Sequence, residues 1–204
     1  MRKIQKMCAA LLAGVMTVGT FAPSVFADEA PAELTDEQVI NVRTTAFGNN
    51  YDVQDMGWRW MMAACYEGLY RDVADENGDE FILAGAESVD ISDDGTVYTY
   101  HLREDAKWSD GVPVTAHDYE YGWKRLLNPD YAYDYASFIY NVVGAEEYNS
   151  GEGSADDVMA VAVDDYTFEV TLKVADPTFE SKLVATPLYP TREDLAEAAG
   201  DNWG

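Results

Sequence analysis

Two pairs of strand-like segments, each joined by an aspartate-rich turn, restrict this chain to folds that contain antiparallel β-hairpins. Residues 87–92 lead into Asp93-Asp94-Gly95, and residues 96–102 form the predicted return strand. Asp-Gly supplies the positive φ that a tight hairpin turn needs. Because side chains alternate along a strand, residues 97, 99 and 101 should share one face and residues 98, 100 and 102 the other. Residues 161–163 and 166–174 repeat this pattern around Asp164-Asp165, with Phe168, Val170 and Leu172 on one face.

A helix between the two hairpins makes the chain a mixed α/β sequence. Residues 115–127 place apolar side chains at helical spacing, with Thr115 as the predicted N-cap and Asp118 as its reciprocal partner. Asn128-Pro129 closes this helix. β-branched residues predict a strand over residues 39–44. Further helices are predicted over residues 57–70, 136–147 and 179–184. Thr191 is the predicted cap of a last helix that stops at Gly200.

The N-terminal residues have the order of a cleavable export signal. Arg2, Lys3 and Lys6 precede an apolar run over residues 9–18, and the small residue Ala27 stands before an acidic pair. The run is shorter than the ~20 residues that a membrane span needs. Cys8 lies upstream of the run, so lipid attachment there is rejected. The sequence therefore predicts a signal peptide over residues 1–27 and a polar leader that begins at residue 28.

Removal of that signal leaves one cysteine and a strongly acidic protein. Cys65 has no partner for an internal disulfide, and its place on the predicted 57–70 helix favours a buried, slowly reacting thiol. Three of the 13 basic residues leave with the signal, so 10 basic residues face 38 acidic ones, for a mature charge of −28. Such a surface repels nucleic acid and anionic lipid. A hydrophobic content of 48% argues against disorder.

No arrangement of residues indicates catalysis, a metal site or a cofactor. The sequence contains no G-x-S-x-G motif, no H-E-x-x-H motif and no glycine-rich phosphate loop. His101 and His117 lie on different predicted elements. Residues 75–80 read D-E-N-G-D-E, which is an incomplete calcium loop, and the interpretation preferred here is a solvated turn. The chain is therefore expected not to be an enzyme.

Four ordered blocks resemble the oligopeptide- and dipeptide-binding proteins of bacterial importers, the extracellular solute-binding proteins of family 5. Residues 103–119 read R-E-D-A-K-W-S-D-G-V-P-V-T-A-H-D-Y, close to the family form R-x-D-A-K-W-S-D-G-x-P-V-T-A-x-D-F. Residues 66–69 read Y-E-G-L, and residues 84–88 read A-G-A-E-S, with alanine where the family has proline. Residues 163–172 read V-D-D-Y-T-F-E-V-T-L, similar to the family's hairpin D-D-x-T-L-E-V-T-L.

The resemblance implies an α/β fold of the periplasmic-binding-protein type II, present here incompletely and with a family-specific extra domain. The implied bounds are residues 28–60 for the leader and the start of ligand-binding lobe I, and 61–189 for the extra domain. Residues 190–204 would return to lobe I. A second lobe is expected beyond residue 204.

The implied function is capture of peptides for an ATP-binding-cassette importer, by an exported monomer that works with a membrane permease. Tyr135-Ala136-Ser137 resembles the family's Y-A-S, whose tyrosine borders the peptide, and Gln54, Asp55 and Met56 resemble a segment that flanks it. Three alternatives stay open. They are another solute, such as a nickel complex or an oligosaccharide; a receptor for a peptide signal; and, from another class, a secreted hydrolase.

Overall fold

The computed structural model describes residues 51–55, 59–75 and 78–203, which lie within one compact unit. The predicted strand over residues 39–44, the leader and Met56 lie outside the described residues. The strands are β1 (Tyr70–Asp75), β2 (Gly78–Leu83), β3 (Ala86–Ile91), β4 (Val97–Leu102), β5 (Ala160–Asp164) and β6 (Thr167–Thr171). The helices are α1 (Arg59–Cys65), α2 (Ala116–Leu127), α3 (Ala145–Asn149), α4 (Phe179–Lys182) and α5 (Glu193–Ala199). Short 3-10 turns occupy Val53–Asp55, Ala136–Ile139, Ala155–Asp157, Thr186–Leu188 and Gly200–Asn202.

Both predicted hairpins are confirmed, and they join into one antiparallel sheet of order β3-β4-β6-β5. Tyr100 pairs with Phe168 across β4 and β6, and both side chains are fully buried. The first turn is closed by Asp94, whose carboxylate accepts hydrogen bonds from the Ser92 hydroxyl and the Thr96 amide at 2.7 and 3.1 Å. These bonds lower the pKa of Asp94. The alternation along β4 is also confirmed, because its even-numbered side chains are buried.

Helix α2 packs its apolar face on this sheet and forms the centre of the core. Its N-terminus carries the predicted capping box, in which the Thr115 amide donates to Asp118 at 2.8 Å. Trp123 is fully buried, lies edge-on to Phe168 with ring centroids 5.1 Å apart, and donates from Nε1 to the Leu188 carbonyl at 3.0 Å. The chain after the second hairpin is therefore fixed to the same helix.

The prediction of one helix over residues 57–70 is wrong. Helix α1 ends at Cys65, and Tyr70 begins β1, which pairs antiparallel with β2 from Tyr70–Leu83 to Asp75–Gly78. The backbone at Gly68 runs so close to the Tyr189 ring that a Cβ there would meet it at 2.6 Å. Cys65 is exposed, so the predicted burial of its thiol is also wrong. Of the acidic run predicted as a solvated turn, Asp75 is the last residue of β1, and residues 78–80 begin β2.

Two further helix predictions need correction. The predicted helix over residues 136–147 is a 3-10 turn at Ala136–Ile139 followed by the separate helix α3. Gly144 precedes α3 with a φ of +80°, a conformation that breaks a continuous helix. Helix α5 is preceded by Arg192 as its N-cap residue, because the hydroxyl of Thr191 bonds instead to Gln54. Among the described residues, no helix has the length and apolar character needed to cross a membrane.

Candidate functional site

The structure brings the segment 51–55 against the loop 131–135. The Tyr133 hydroxyl donates to the Asp52 carboxylate at 2.6 Å, across 81 residues of sequence. An open hollow of about 430 Å³ lies at this junction. We call it the acidic hollow, and its lining includes Asp52, Asp55, Arg125, Tyr131, Tyr133 and Asp134.

The end of α2 sets the course of the loop. Asn128 closes the helix in an extended conformation, with its amide bonded to the Arg125 carbonyl at 3.1 Å. Its side chain then accepts from the Asp130 amide at 3.0 Å, and its carbonyl accepts from the Tyr131 amide at 3.2 Å. These local bonds turn the chain back over the helix C-terminus. The loop therefore leaves α2 directly above Arg125.

Arg125 joins the two segments from below. Its Nη1 lies 2.8 Å from the Asp52 carboxylate and donates to the Gln54 side-chain oxygen at 2.9 Å. Burial is the strongest influence and opposes the charge of this guanidinium, but the Asp52 carboxylate together with the Tyr133 and Tyr121 hydroxyls outweighs it and raises the Arg125 pKa. Burial and the bond to Asp52 likewise raise the Tyr133 pKa. Arg125 therefore stays cationic and Tyr133 stays protonated at neutral pH.

Asp55 is the exposed acid at the edge of the hollow. Its pKa is raised, first by partial burial and then by the negative charges of Asp52 and Asp134. The lining carries the three carboxyl groups of Asp52, Asp55 and Asp134 and the guanidinium of Arg125, so acidic side chains outnumber basic ones. The acidic hollow therefore favours a cationic or hydrogen-bond-donating group in its opening.

The predicted site residues fall in different places around this hollow. Asp55 lines it, whereas Tyr135 follows Asp134 and presents a half-buried ring that meets Phe138 edge-on at 5.2 Å. Gln54 has no accessible surface, and its side-chain amide nitrogen donates to the Thr191 hydroxyl at 2.9 Å. A direct ligand contact by the Gln54 side chain would require this arrangement to open. Met56 lies outside the described residues. The ligand-contacting roles of all four stay predictions.

The R-E-D-A-K-W signature segment is scaffold in this structure. Gly111 takes a φ of +88° in the turn, and the Trp108 indole donates to Asp118 at 3.2 Å. Asp110 accepts from Arg192 at 3.1 Å, which ties the turn to the start of α5. The segment thus connects the N-terminus of α2 to the last described helix.

Sequence reasoning missed five of the six residues named above as lining the hollow. They are Asp52, Arg125, Tyr131, Tyr133 and Asp134. Arg125 offered one signal, because it stands between the core positions Trp123 and Leu126 of an amphipathic helix, where a cation needs a buried partner. Within the described ranges, no group of three or more histidine, cysteine or acidic side chains is arranged to hold a metal ion.

Comparison with known sequences places the chain beside bacterial binding proteins. Residues 80–203 match the bacterial extracellular solute-binding proteins, family 5, in the middle region of that family. The periplasmic oligopeptide-binding protein OppA of Salmonella typhimurium is 33% identical over 201 residues, which cover 95% of this chain and 36% of that protein. The oligopeptide-binding protein OppA of Bacillus subtilis is 37% identical over 159 residues, covering 78% of this chain and 29% of that one.

A solved structure confirms the predicted fold class. Listeria monocytogenes OppA bound to peptide superposes with a TM-score of 0.74 at 35% sequence identity. The match covers 82% of this chain and 33% of the Listeria chain. The fold is therefore that of an α/β periplasmic binding protein, of which this chain spans about a third. The residue bounds of the lobes and of the extra domain stay predictions.

Proposed function

Because the chain belongs to family 5 of the bacterial extracellular solute-binding proteins, we propose that it forms part of a protein that captures peptides for an ATP-binding-cassette importer. The observation that carries the proposal is the 33% identity to an oligopeptide-binding protein over 95% of the chain. The relative in Bacillus subtilis is also named for oligopeptides, and the Listeria structure contains a bound peptide. No catalytic step is part of the proposed function.

The acidic hollow is the proposed peptide-facing surface of this chain. It presents carboxylates that accept from peptide amides or a cationic end, beside aromatic rings that pack on side chains. The chain spans about a third of its relatives, so we propose that a second lobe supplies the remaining contacts. Association entropy costs several kcal/mol, roughly 4–15, before net affinity appears. The 204-residue chain alone is therefore expected to bind peptides negligibly.

Calorimetry with a mixture of tri- to pentapeptides tests the proposal. The product of the natural reading frame that contains this sequence should bind, and Tyr135→Ala in it should weaken binding about tenfold, a loss within the range for an aromatic contact residue. Tyr135→Phe, which keeps the ring, serves as the matched control and should retain most of the affinity. No peptide binding by the natural product would refute the proposed function. Micromolar binding by residues 1–204 alone would refute the need for a second lobe.

Binding and cleavage assays on the same protein distinguish peptide capture from the alternative functions. Binding of a nickel complex or an oligosaccharide in place of peptides would assign another solute within the family. Cleavage of the peptide mixture would instead favour the secreted hydrolase. A receptor for a peptide signal would bind one peptide far more tightly than the pool. The names of the relatives compared favour peptide capture over these alternatives.

The relatives' location outside the cytoplasm supports the proposal that this chain is exported. One relative is named as periplasmic, and residues 1–27 have the order of a cleavable signal. Sequencing of the secreted protein from a bacterial host should give a new N-terminus at Asp28, because Ala27 is the small residue that signal cleavage needs. Retention of residues 1–27 in the exported protein would contradict the prediction.

The proposed partners are a peptide and the membrane permease of the importer. The mature charge of −28 disfavours nucleic acid and anionic lipid surfaces, since both repel an acidic protein. We further propose that the protein acts as a monomer, as the family resemblance implies. Sedimentation equilibrium of the natural product gives its mass directly.

A further inference from the structure

One buried side chain contacts both segments of the acidic hollow. The Arg125 guanidinium bonds to Asp52 and Gln54 on one side. On the other side its Cζ lies 4.7 Å from the ring centroid of Tyr131 and 5.2 Å from that of Tyr133. Cation–π contacts at these distances are attractive, more so where water is excluded. Arg125 therefore touches the two tyrosines that flank Ala132.

Ala132 has a backbone conformation that alanine disfavours. Its φ is +51°, and among the described residues it is the one non-glycine with a positive φ. A Cβ in this region crowds the neighbouring carbonyl, so the conformation persists only where its surroundings hold it. Tyr131 and Tyr133 supply that hold through their contacts with Arg125, and Tyr133 adds its bond to Asp52.

From this geometry we infer that Arg125 is a positioning residue for ligand binding, which holds Ala132 left-handed and so fixes Asp134 and Tyr135 at the acidic hollow. The inference rests on the proposed peptide function. Arg125 is only 7% exposed at the edge of the hollow, so its proposed role is to position the loop rather than to grip the ligand. Its effect on affinity comes from the fraction of molecules whose loop already has the binding conformation.

The planar shape of arginine is what this role requires. A lysine would preserve the positive charge beside Asp52, and so the balance of the buried pair. It would lose the flat guanidinium that lies over two rings while it bonds to Asp52 and Gln54. Arg125→Lys therefore removes the contacts that hold the loop and keeps the positive charge that neutralises Asp52.

The first arm of the test uses residues 1–204 and no ligand. The amides of Tyr131 and Ala136 bond to the carbonyls of Asn128 and Tyr133 at 3.2 and 3.3 Å, and so bracket the loop. In Arg125→Lys we expect their hydrogen exchange, followed by NMR, to accelerate about tenfold, as local opening becomes easier. Arg103→Lys is the matched control, because Arg103 is an exposed arginine paired with Asp105. Unchanged exchange in Arg125→Lys overturns the inference.

The second arm measures affinity for the tri- to pentapeptide mixture in the natural gene product. Arg125→Lys should weaken binding about tenfold if the competent fraction falls to a tenth. Adding Ala132→Gly should restore most of that loss, because glycine adopts a positive φ without being held. Ala132→Gly alone completes the double-mutant cycle. Arg103→Lys should bind as the unmodified protein does.

A loss that Ala132→Gly fails to restore would assign Arg125 a structural role only and overturn the inference. If the unmodified protein binds no peptide, the proposed function fails, and the ligand role of Arg125 fails with it. The exchange arm then still decides whether Arg125 holds the loop. If Arg125→Lys does not fold, Tyr131→Leu replaces it in both arms, since it removes a ring that Arg125 contacts at 4.7 Å and leaves the buried pair with Asp52 intact.

Discussion

Replacing Trp123 by alanine is expected to lower the free energy of unfolding by about 3–5 kcal/mol, the range for large aromatic residues in a core. The side chain is fully buried and lies edge-on to Phe168 and Phe179, with ring centroids 5.1 and 6.5 Å away. Its removal leaves a cavity between α2 and the sheet. It also leaves the Leu188 carbonyl without its indole donor. Chemical denaturation followed by circular dichroism measures the change.

Phe81→Ala is the control for this substitution. Phe81 is an aromatic residue of β2 that is 46% exposed, so its truncation forms no closed cavity. We expect a loss below about 1 kcal/mol there, as for ordinary surface changes. Equal losses at the two positions would contradict the placement of Trp123 at the centre of the core.

Asp52→Asn is expected to lower the free energy of unfolding by about 3–5 kcal/mol, because it leaves the buried Arg125 charge without its carboxylate. Asp52 and Arg125 are 5% and 7% exposed, so little water reaches the guanidinium to replace the lost partner. The same change weakens the bond that the Tyr133 hydroxyl donates to Asp52. Chemical denaturation of the 204-residue chain, with and without the substitution, gives the difference.

Two comparisons make this result specific to the buried pair. Asp105→Asn applies the same substitution to the exposed Arg103–Asp105 pair and should cost far less than Asp52→Asn, because solvent screens that pair. In the double variant Asp52→Asn/Arg125→Met, no buried charge is left unpaired, so the loss should be smaller than the sum of the single losses. Additive losses would show that the two residues are not energetically coupled.

The sequence was sufficient wherever the deciding interactions are local. The turn at Asp93-Asp94-Gly95 needs a positive φ and a side-chain acceptor, and Gly95 and Asp94 provide both within four residues. The capping box of α2 joins Thr115 to Asp118, three residues away. The alternation in β4 follows from strand geometry alone. The bounds of these elements, and the buried face of β4, could therefore be predicted from the sequence.

The sequence failed where a distant segment decides the local conformation. Residues 57–70 have helical spacing in the sequence, but Tyr70 pairs with Leu83 in the β1–β2 hairpin and so lies outside the helix. Cys65 is consequently at the end of a short helix and exposed. Thr191 could cap α5, but its hydroxyl is bonded to Gln54, 137 residues away in the chain.

What the sequence by itself determined is the hairpins, the central helix, the family and the outline of the fold. The tertiary structure alone decided the acidic hollow, because Asp52, Arg125 and Tyr133 meet across 73 and 81 residues of chain. A buried charge requires a partner, but its residue type does not say which distant segment supplies one. That choice is made by packing, which brings segment 51–55 over the C-terminal end of α2.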